Sequence, residues 1–302
     1  MSVESAVVAG RPARDRPELH DLGRILASCP DRPGILAAVT SMLSSVGANI
    51  TDFQQYSTDP EAGRLFLRVE FVLADLVSNV AAVESAFAAV ADEFSMQWRF
   101  ARAERVKRLA IMVSKADHAL HELLWRQRAG DLHAEIAMVI SNHTDLAPIV
   151  VSDGIPFHHI PVTAATKAEA EARQLELLVG NVDTVVLARY MQVVSSNFLS
   201  KFENQAINIH HSFLPAFVGA DPYGRAADRG VKLIGATAHY VTAELDAGPI
   251  IEQDVARIDH RQSVEELRRA GRFVEREVLA RAVSWHVEDR VIVHGNKTIV
   301  FT

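Results

Sequence analysis

The order of strands and helices changes near residue 104, and this change constrains the fold more than any other feature. Before it, the apolar pattern predicts strands at RILASC, NITDFQQYS, RLFLRVEFVL and MQWRFAR, separated by two helices. The first helix is predicted to face inward with Ile35, Leu36, Val39, Met42 and Leu43. This β-α-β-β-α-β order closes into a small, ferredoxin-like antiparallel sheet with both helices on one face.

After residue 104, strands and helices alternate regularly from RLAIMVS to TVVLAR, which predicts a doubly wound, mostly parallel sheet. The ligand site of such a sheet lies at the carboxyl ends of its strands. Further strands at AINIH, LIGATAHYVT and PIIEQDVARI and a long helix complete this α/β domain, and PAFVGADPYG is expected to be loop. We predict a flexible tail over residues 1–20, a first domain over 21–103 and a second over 104–302.

Composition limits the classes of function that fit the chain. Its 302 residues, 49% of them hydrophobic, are enough for two buried cores. The net charge of −7, without a long basic tract, argues against nucleic acid as a partner. The sequence shows no leader pattern and no apolar run of about 18 residues, so we expect a cytoplasmic protein with no membrane partner. The single cysteine, Cys29, fits a reducing compartment.

The segment AINIHHSFLP carries the first candidate site residues. Side chains alternate along a strand, so Asn208 and His210 are expected on one face, with Ile207, Ile209 and His211 on the other. A carboxamide N–H can stabilise the oxyanion that forms when a carbonyl becomes tetrahedral, and a histidine beside it can move the proton.

The segment TAELDAGP adds Asp246 in a turn after a strand. A carboxylate there could orient the imidazole and hold a water molecule. The three residues together suit acyl hydrolysis without a serine or cysteine nucleophile. A histidine at a strand end is also typical of a purely structural residue, so that alternative stays open at this point.

The segments NIHHSFLPAFVGADPY and GATAHYVTAELDAGPIIEQ resemble the folate-dependent formyltransferase family. With the leading small domain, which looks like an ACT domain at PDRPGILAAV, GANITDF and RLFLRVEF, the chain resembles the deformylases of that family over residues 22–302. This resemblance implies hydrolysis of 10-formyltetrahydrofolate to tetrahydrofolate and formate. It assigns catalysis to Asn208, His210 and Asp246, and it implies no metal and no tightly bound cofactor.

The same resemblance implies binding residues. LARYMQVVS would line the pterin site, and the candidate folate contacts are Met191, Gln192, Val193, Val194, Glu244 and Leu245. In the leading domain, a possible amino-acid effector would contact Gly34, Asn49 and Ile50. An ACT domain also implies a homo-oligomer, expected to be a tetramer or larger, although the domain could serve as an assembly surface alone.

Three residues depart from the family pattern. Asp221 stands where a basic residue is expected, Gln192 where an arginine is expected, and Phe273 where the segment GRD is usual. These changes are expected to weaken attraction for a glutamate tail by about 1–3 kcal/mol, if the replaced groups made charge-assisted hydrogen bonds.

Several alternative functions follow from other features. Transfer of the formyl group to an amine is less favoured, because VSKADHAL lacks the glycine-serine-asparagine type of loop that resembles a phosphate cradle in the transferases. A nicotinamide-dependent oxidoreductase would need G-x-G-x-x-G, and MVSKADHALHEL contains no glycine. A non-catalytic amino-acid sensor on the same scaffold stays open. A metal hydrolase is suggested by five histidines: His158, His159, His210, His211 and His239. Adjacent histidines in a strand face opposite sides of it, which argues against a shared metal ion.

Overall fold

The structure, a computed structural model, describes residues 16–59, 62–215 and 221–302, which form two compact units. The first unit runs to Val106 and also includes Glu288–Ile292 and Ile299–Thr302. The second comprises Lys107–Val287 and Val293–Thr298. Most of the expected tail lies outside the described residues, and the domain limits given above stay a prediction.

The first unit is a four-stranded antiparallel sheet in the order β2-β3-β1-β4. Its β-α-β-β-α-β order confirms the ferredoxin-like prediction. After a short 3-10 turn at Pro17–Leu19, its elements are β1 (Leu22–Pro30), α1 (Ile35–Ser45), β2 (Asn49–Ser57), β3 (Arg64–Val72), α2 (Leu76–Phe94) and β4 (Gln97–Arg102).

Helix α1 packs on this sheet with the face that the apolar pattern predicts, except at one residue. Ile35, Val39, Met42 and Leu43 are buried, whereas Leu36 is 42% exposed. A helical side chain points toward the helix N-terminus, so Leu36, in the first turn, reaches beyond the end of the packed face. The prediction that Leu36 faces inward is therefore wrong.

The second unit is built on a seven-stranded sheet in the order β11-β10-β9-β8-β5-β6-β7. Its elements are β5 (Lys107–Val113), α3 (His118–Ala129), β6 (Ala134–Ser141), α4 (Ala147–Ser152), β7 (Phe157–His159), α5 (Lys167–Leu178), β8 (Thr184–Leu187), α6 (Ser196–Leu199), β9 (Ala206–His210), α7 (Pro222–Arg229), β10 (Leu233–Tyr240), β11 (Ile250–Arg257) and α8 (Val264–Val287). The strands β12 (Val291–His294) and β13 (Lys297–Val300) form a separate two-stranded sheet.

Strands β5 to β9 pair in parallel, and β10 and β11 add antiparallel strands at one edge. The chain moves outward from β5 to β7, then returns to β8 on the other side of β5. The topological switch point therefore lies between the carboxyl ends of β5 and β8, where open α/β sheets bind ligands. Both the doubly wound architecture and the mostly parallel sheet are confirmed.

The segment expected to be loop after β9 contains a helix. Its residues 216–220 lie outside the described chain, but α7 begins at Pro222 with Asp221 as its N-cap. Aspartate at the N-cap and proline at the first helical position are both helix-start signals, and the loop prediction is wrong from that point on.

Within the part of the chain that the structure describes, none of the helices combines the length and the apolar character that crossing a membrane requires.

Candidate active site

A cavity of about 370 Å³ opens at the carboxyl ends of β8 and β9 in the second unit. Its wall comes from the loop after β8, the end of β9, the start of α7 and the β10–β11 connection. The lining residues used below are Arg189, Met191, Gln192, Val193, Val194, Asn208, Ile209, His210, His211, Asp221, His239, Leu245 and Asp246.

Strand β9 carries two of the candidate residues into this cavity. Asn208 and His210 both line it, whereas Ile207 is fully buried. Ile209 and His211, whose side chains are expected on the other face, also contribute to the lining of the cavity. The strand ends at His210, so alternation no longer fixes the direction of His211, whose ring centroid lies 5.2 Å from that of His210.

Asp246 meets His210 from the β10–β11 connection. It sits in a left-handed conformation with φ of 55°, and its Oδ2 lies 3.2 Å from His210 Nδ1. The hydrogen bond from His210, and then the nearby His239, whose Nε2 lies 3.7 Å from Asp246 Oδ1, hold the pKa of Asp246 well below its usual range. The carboxylate thus keeps the proton of His210 on Nδ1, because it can only accept. The other nitrogen, Nε2, is buried and has no hydrogen-bond partner among the described residues.

His239 completes the group, although it was considered above only as a possible metal ligand. Antiparallel pairing of β9 with β10 sets it opposite Asn208. Its Nδ1 lies 2.9 Å from the carbonyl oxygen of Tyr240, which can only accept, so Nδ1 carries the proton. In the neutral ring Nε2 then accepts from Asn208 Nδ2 at 3.3 Å. This bond fixes the Asn208 carboxamide with its second N–H available.

Strand β10 also supports the turn after His210. Thr237 lies opposite His210 in the register and is fully buried. Its hydroxyl donates to the carbonyl oxygen of Ser212 at 2.9 Å and accepts from the backbone N–H of Leu214 at 3.0 Å. Strand β10 therefore holds the chain where the catalytic candidates leave the sheet.

The loop after β8 forms a different kind of wall. Met191 is 60% exposed, and its backbone N–H donates to Ser114 Oγ at 3.0 Å. The Ser114 hydroxyl in turn donates to Asn142 Oδ1 at 2.7 Å. Farther along, Glu171 accepts from the backbone N–H and the hydroxyl of Ser195. These bonds fix the backbone while leaving its apolar side chains open to the cavity.

Of the candidate folate contacts, five line this cavity and one does not. Leu245 is 60% exposed on its rim. Glu244 is not among the described lining residues, and its carbonyl oxygen accepts from the Thr242 hydroxyl at 3.1 Å, which closes the turn.

A buried ionic group lies behind Arg189. Glu275 accepts hydrogen bonds from Tyr223 at 2.7 Å and from His118 at 2.8 Å, and Arg189 Nε lies 3.5 Å from it. Burial alone raises the pKa of Glu275, but the hydrogen bond from His118 and the charge of Arg189 lower it overall. Burial, and then the charge of Arg189, lower the pKa of His211 to about 4, so its ring is neutral at pH 7. Except for His211, none of these residues was a candidate from the sequence.

The three departures from the family pattern have different surroundings. Gln192 lines the cavity. Asp221 caps α7 through Gly224 N at 3.3 Å and pairs with Arg268 at 3.3 Å, so its charge is compensated. Phe273 on α8 is 58% exposed and is not among the described lining residues.

The effector candidates of the first unit are not brought together within one chain. Gly34 is the left-handed N-cap of α1, with φ of 97°, whereas Asn49 and Ile50 begin β2 after that helix ends. An eleven-residue helix spans about 16 Å at 1.5 Å per residue. A small ligand cannot touch both ends of α1.

The described residues contain no group of three or more histidine, cysteine, aspartate or glutamate side chains arranged to hold a metal ion. His158 and His159 lie on β7, at the far edge of the sheet from β9.

The comparisons with known proteins agree in both units. Residues 107–283 match the family model described as formyl transferase, and residues 23–87 match the ACT domain. Formyltetrahydrofolate deformylase from Bacillus subtilis is 57% identical over 93% of this chain and 94% of its own length. The Escherichia coli deformylase is 40% identical over 93% of this chain and all of its own length.

Solved structures give the same relationship. The crystal structure of a formyltetrahydrofolate deformylase from Pseudomonas syringae is 48% identical and covers 93% of this chain and 94% of its own, with a TM-score of 0.88. A glycinamide ribonucleotide transformylase from Symbiobacterium toebii, 31% identical, covers 65% of this chain and 95% of its own, with a TM-score of 0.62. With an ACT unit followed by a formyl transferase unit, and with such identity along nearly its whole length, this chain belongs to the formyltetrahydrofolate deformylase family.

Proposed function

We propose that Asn208, His210 and Asp246 hydrolyse 10-formyltetrahydrofolate to tetrahydrofolate and formate in the cavity at the end of β9. The observation that carries this proposal is the 3.2 Å approach of Asp246 Oδ2 to His210 Nδ1, with the buried Nε2 of His210 left without a partner. An imidazole held in one tautomer, with its other nitrogen unbonded, suits proton transfer to and from a bound substrate.

The reaction begins with water, held by Asp246 and His210, adding to the formyl carbon. His210 Nε2 takes a proton from the attacking water. The carbonyl oxygen becomes an oxyanion, which accepts a hydrogen bond from the free N–H of Asn208. His210 then gives its proton to the folate nitrogen as the carbon–nitrogen bond breaks. Formic acid leaves and ionises at neutral pH, and His210 returns to its neutral form.

The loop after β8 suits the flat heterocycle of the folate. Met191 and Val193 offer apolar surface, while the loop backbone offers hydrogen-bonding groups in fixed positions. Sites for heterocycles combine apolar walls with a few such groups. We assign Met191, Gln192, Val193, Val194 and Leu245 to this role, and Glu244 contributes only the turn that presents its neighbour.

The first unit is proposed to bind an amino acid between chains of a homo-oligomer. Because Gly34 and Asn49 lie at opposite ends of α1, a ligand that contacts both must take one of them from a second chain. Isothermal titration with single amino acids, followed by sedimentation of the complex, tests this. Binding by a monomer would contradict it.

A formate-release assay on 10-formyltetrahydrofolate, with and without an amine acceptor, tests the catalytic proposal. We expect formate in stoichiometric yield with tetrahydrofolate both without an acceptor and with glycinamide as the acceptor. A chain that produces only formylated amine would be a transferase. A chain that binds an amino acid and produces neither product would be a sensor.

A further inference from the structure

The crevice at the switch point of the catalytic sheet is filled by the chain's own side chains. His118 follows β5 at the start of α3, and Arg189 follows β8, so the two residues flank the switch point between these strands. Glu275 reaches them from α8 and Tyr223 from α7. We call these four residues the Glu275 cluster. Open α/β sheets use this crevice for a ligand.

The cluster is tightly packed and internally bonded. Glu275 is 1% exposed and Tyr223 is 6% exposed. A Cβ atom at Gly271 on α8 would lie 2.0 Å from the Tyr223 hydroxyl, so the tyrosine already touches the helix backbone. A buried carboxylate with three polar partners is costly to disturb, because removing one partner leaves a charge without compensation. The crevice is therefore closed by a rigid group.

One member of the cluster also reaches the reaction site. Arg189 lines the cavity that holds Asn208 and His210, and its guanidinium has two buried nitrogens, Nε and Nη1, without a hydrogen-bond partner among the described residues. His211, beside His210 in the same wall, has its ring centroid 6.0 Å from that of Tyr223. Arg189 lies two residues before Met191 in the loop after β8, so the wall made by Arg189 and His211 adjoins the residues assigned to the folate.

We propose that the Glu275 cluster occupies the space that an amine acceptor would need and thereby commits the formyl group to water. This inference rests on the proposed function. A water molecule needs room for a single oxygen atom beside the formyl carbon, whereas an amine must also place its substituents. Arg189 lines the cavity and lies 3.5 Å from Glu275, so it stands between the reaction site and the crevice at the ends of β5 and β8.

Opening the crevice would change the acceptor and not the chemistry at the formyl carbon. The amine nitrogen forms a bond to that carbon, and the bond from carbon to the folate nitrogen breaks. His210 takes a proton from the amine and returns one to the folate nitrogen. The products are tetrahydrofolate and the N-formylated amine, so no other reactant is required.

The test is the ratio of N-formylated amine to formate, measured by mass spectrometry with the full chain and with a no-enzyme blank subtracted. The acceptors are hydroxylamine, which is little larger than water, and glycinamide. Arg189→Gly removes the side chain, and glycine tolerates the left-handed backbone at this position, where φ is 65°. Arg189→Asn is the second variant, since asparagine also tolerates this conformation.

One control variant keeps the bulk of the side chain at position 189, and the other leaves the surroundings of the cavity unchanged. Arg189→Lys keeps a long cationic side chain and should give the wild-type ratio. Arg126→Ala removes an arginine that pairs with Glu122 on α3, at 2.8 Å, away from the cavity, and should also leave the ratio unchanged.

We expect the wild-type chain to formylate hydroxylamine but not glycinamide, and we expect Arg189→Gly or Arg189→Asn to raise the glycinamide ratio at least about tenfold. An unchanged ratio in a folded variant overturns the inference. If neither variant folds, equal use of both acceptors by the wild-type chain overturns it instead, and discrimination between them supports it. A wild-type chain that releases no formate contradicts the proposed function itself.

Discussion

Each unit buries a group of charged and polar side chains, but the hydrogen-bonding capacity of the two groups is satisfied to different extents. In the first unit Arg68 is 1% exposed and bonds to Glu70 at 2.8 Å, to Asp52 at 3.1 Å and to the carbonyl oxygen of Asp289 at 3.0 Å. Arg24 bonds to the same Glu70 at 3.0 Å. Burial alone raises the pKa of Glu70, yet the hydrogen bond from Arg24 and the charge of Arg68 lower it overall.

In the second unit the corresponding group leaves part of its hydrogen-bonding capacity unused. Asp246 and His239 fix one side of His210 and Asn208, while Nε2 of His210 stays unbonded. Leaving a buried polar atom unbonded costs about 1–3 kcal/mol. In the first group the polar atoms bond to one another, so this group supports the fold. The second leaves hydrogen-bonding capacity that a substrate can use.

The largest expected loss comes from breaking the pair that fixes His210. Asp246→Asn removes the charge that holds the proton on Nδ1, so formate release should fall at least about a thousandfold, within the range typical of acid–base catalysis. Steady-state formate release measures it. Asp254→Asn is the matched control, because that carboxylate is exposed on β11 and pairs with Arg281 at 2.7 Å. A wild-type rate for Asp246→Asn would remove the carboxylate from the mechanism.

Removing the oxyanion donor should have a somewhat smaller effect. Asn208→Ala is expected to lower kcat about a hundredfold to a thousandfold, since the lost N–H acts only in the transition state. Rapid-quench measurement of formate and thermal unfolding of the same sample separate chemistry from folding. Asn181→Ala, at an exposed residue bonded to the carbonyl oxygen of Leu177, serves as the control. Full activity of Asn208→Ala would rule out its assigned role.

His239 is expected to act through Asn208, with an effect of about tenfold. His239→Ala frees the carboxamide to rotate, so kcat should fall while KM changes little. A double-mutant cycle tests this: in the Asn208→Ala background the change at position 239 should cost almost nothing more. Equal losses in both backgrounds would show that His239 acts independently of the carboxamide.

The group in the first unit should affect stability without affecting turnover. Arg68→Met leaves two partly buried carboxylates short of a partner, and we expect a loss of about 3 kcal/mol in the free energy of unfolding of the first unit. Denaturant unfolding measures it, with kcat per folded molecule unchanged. Arg102→Met breaks a more exposed ion pair with Glu104, at 2.7 Å, and should cost less than about 1 kcal/mol. Equal losses for the two variants would contradict the contrast.

The strand and helix order could be predicted because apolar periodicity is a local signal. The pairing of Asn208 with His210 could be predicted for the same reason, since residues two positions apart in a strand share a face. Asp246 could be proposed as their partner from its place in a turn after a strand, but its assignment relied on the family resemblance, because no local pattern says which turn meets β9. His239 was recognised only as a histidine. Its place opposite Asn208 depends on the register of two strands, which the sequence does not reveal.

The Glu275 cluster depends on contacts between distant parts of the chain, so the sequence held only an indirect sign of it. Glu275 lies on the buried stripe of α8 with Leu267, Gly271 and Val278. A charged residue on an apolar stripe demands a partner. The pattern shows that a partner exists without identifying His118 or Arg189, which come from other strand ends.

The chain returns to the first unit twice after leaving it, and this has a practical consequence for dissecting that unit. Asp289, which accepts from Arg68 through its carbonyl oxygen and pairs with Arg99 through its carboxylate, belongs to a segment that follows α8. A fragment ended by a stop codon after Val106 would lack this segment and expose Arg68. An isolated first unit would have to be made by circular permutation, with the last fifteen or so codons joined to the first hundred.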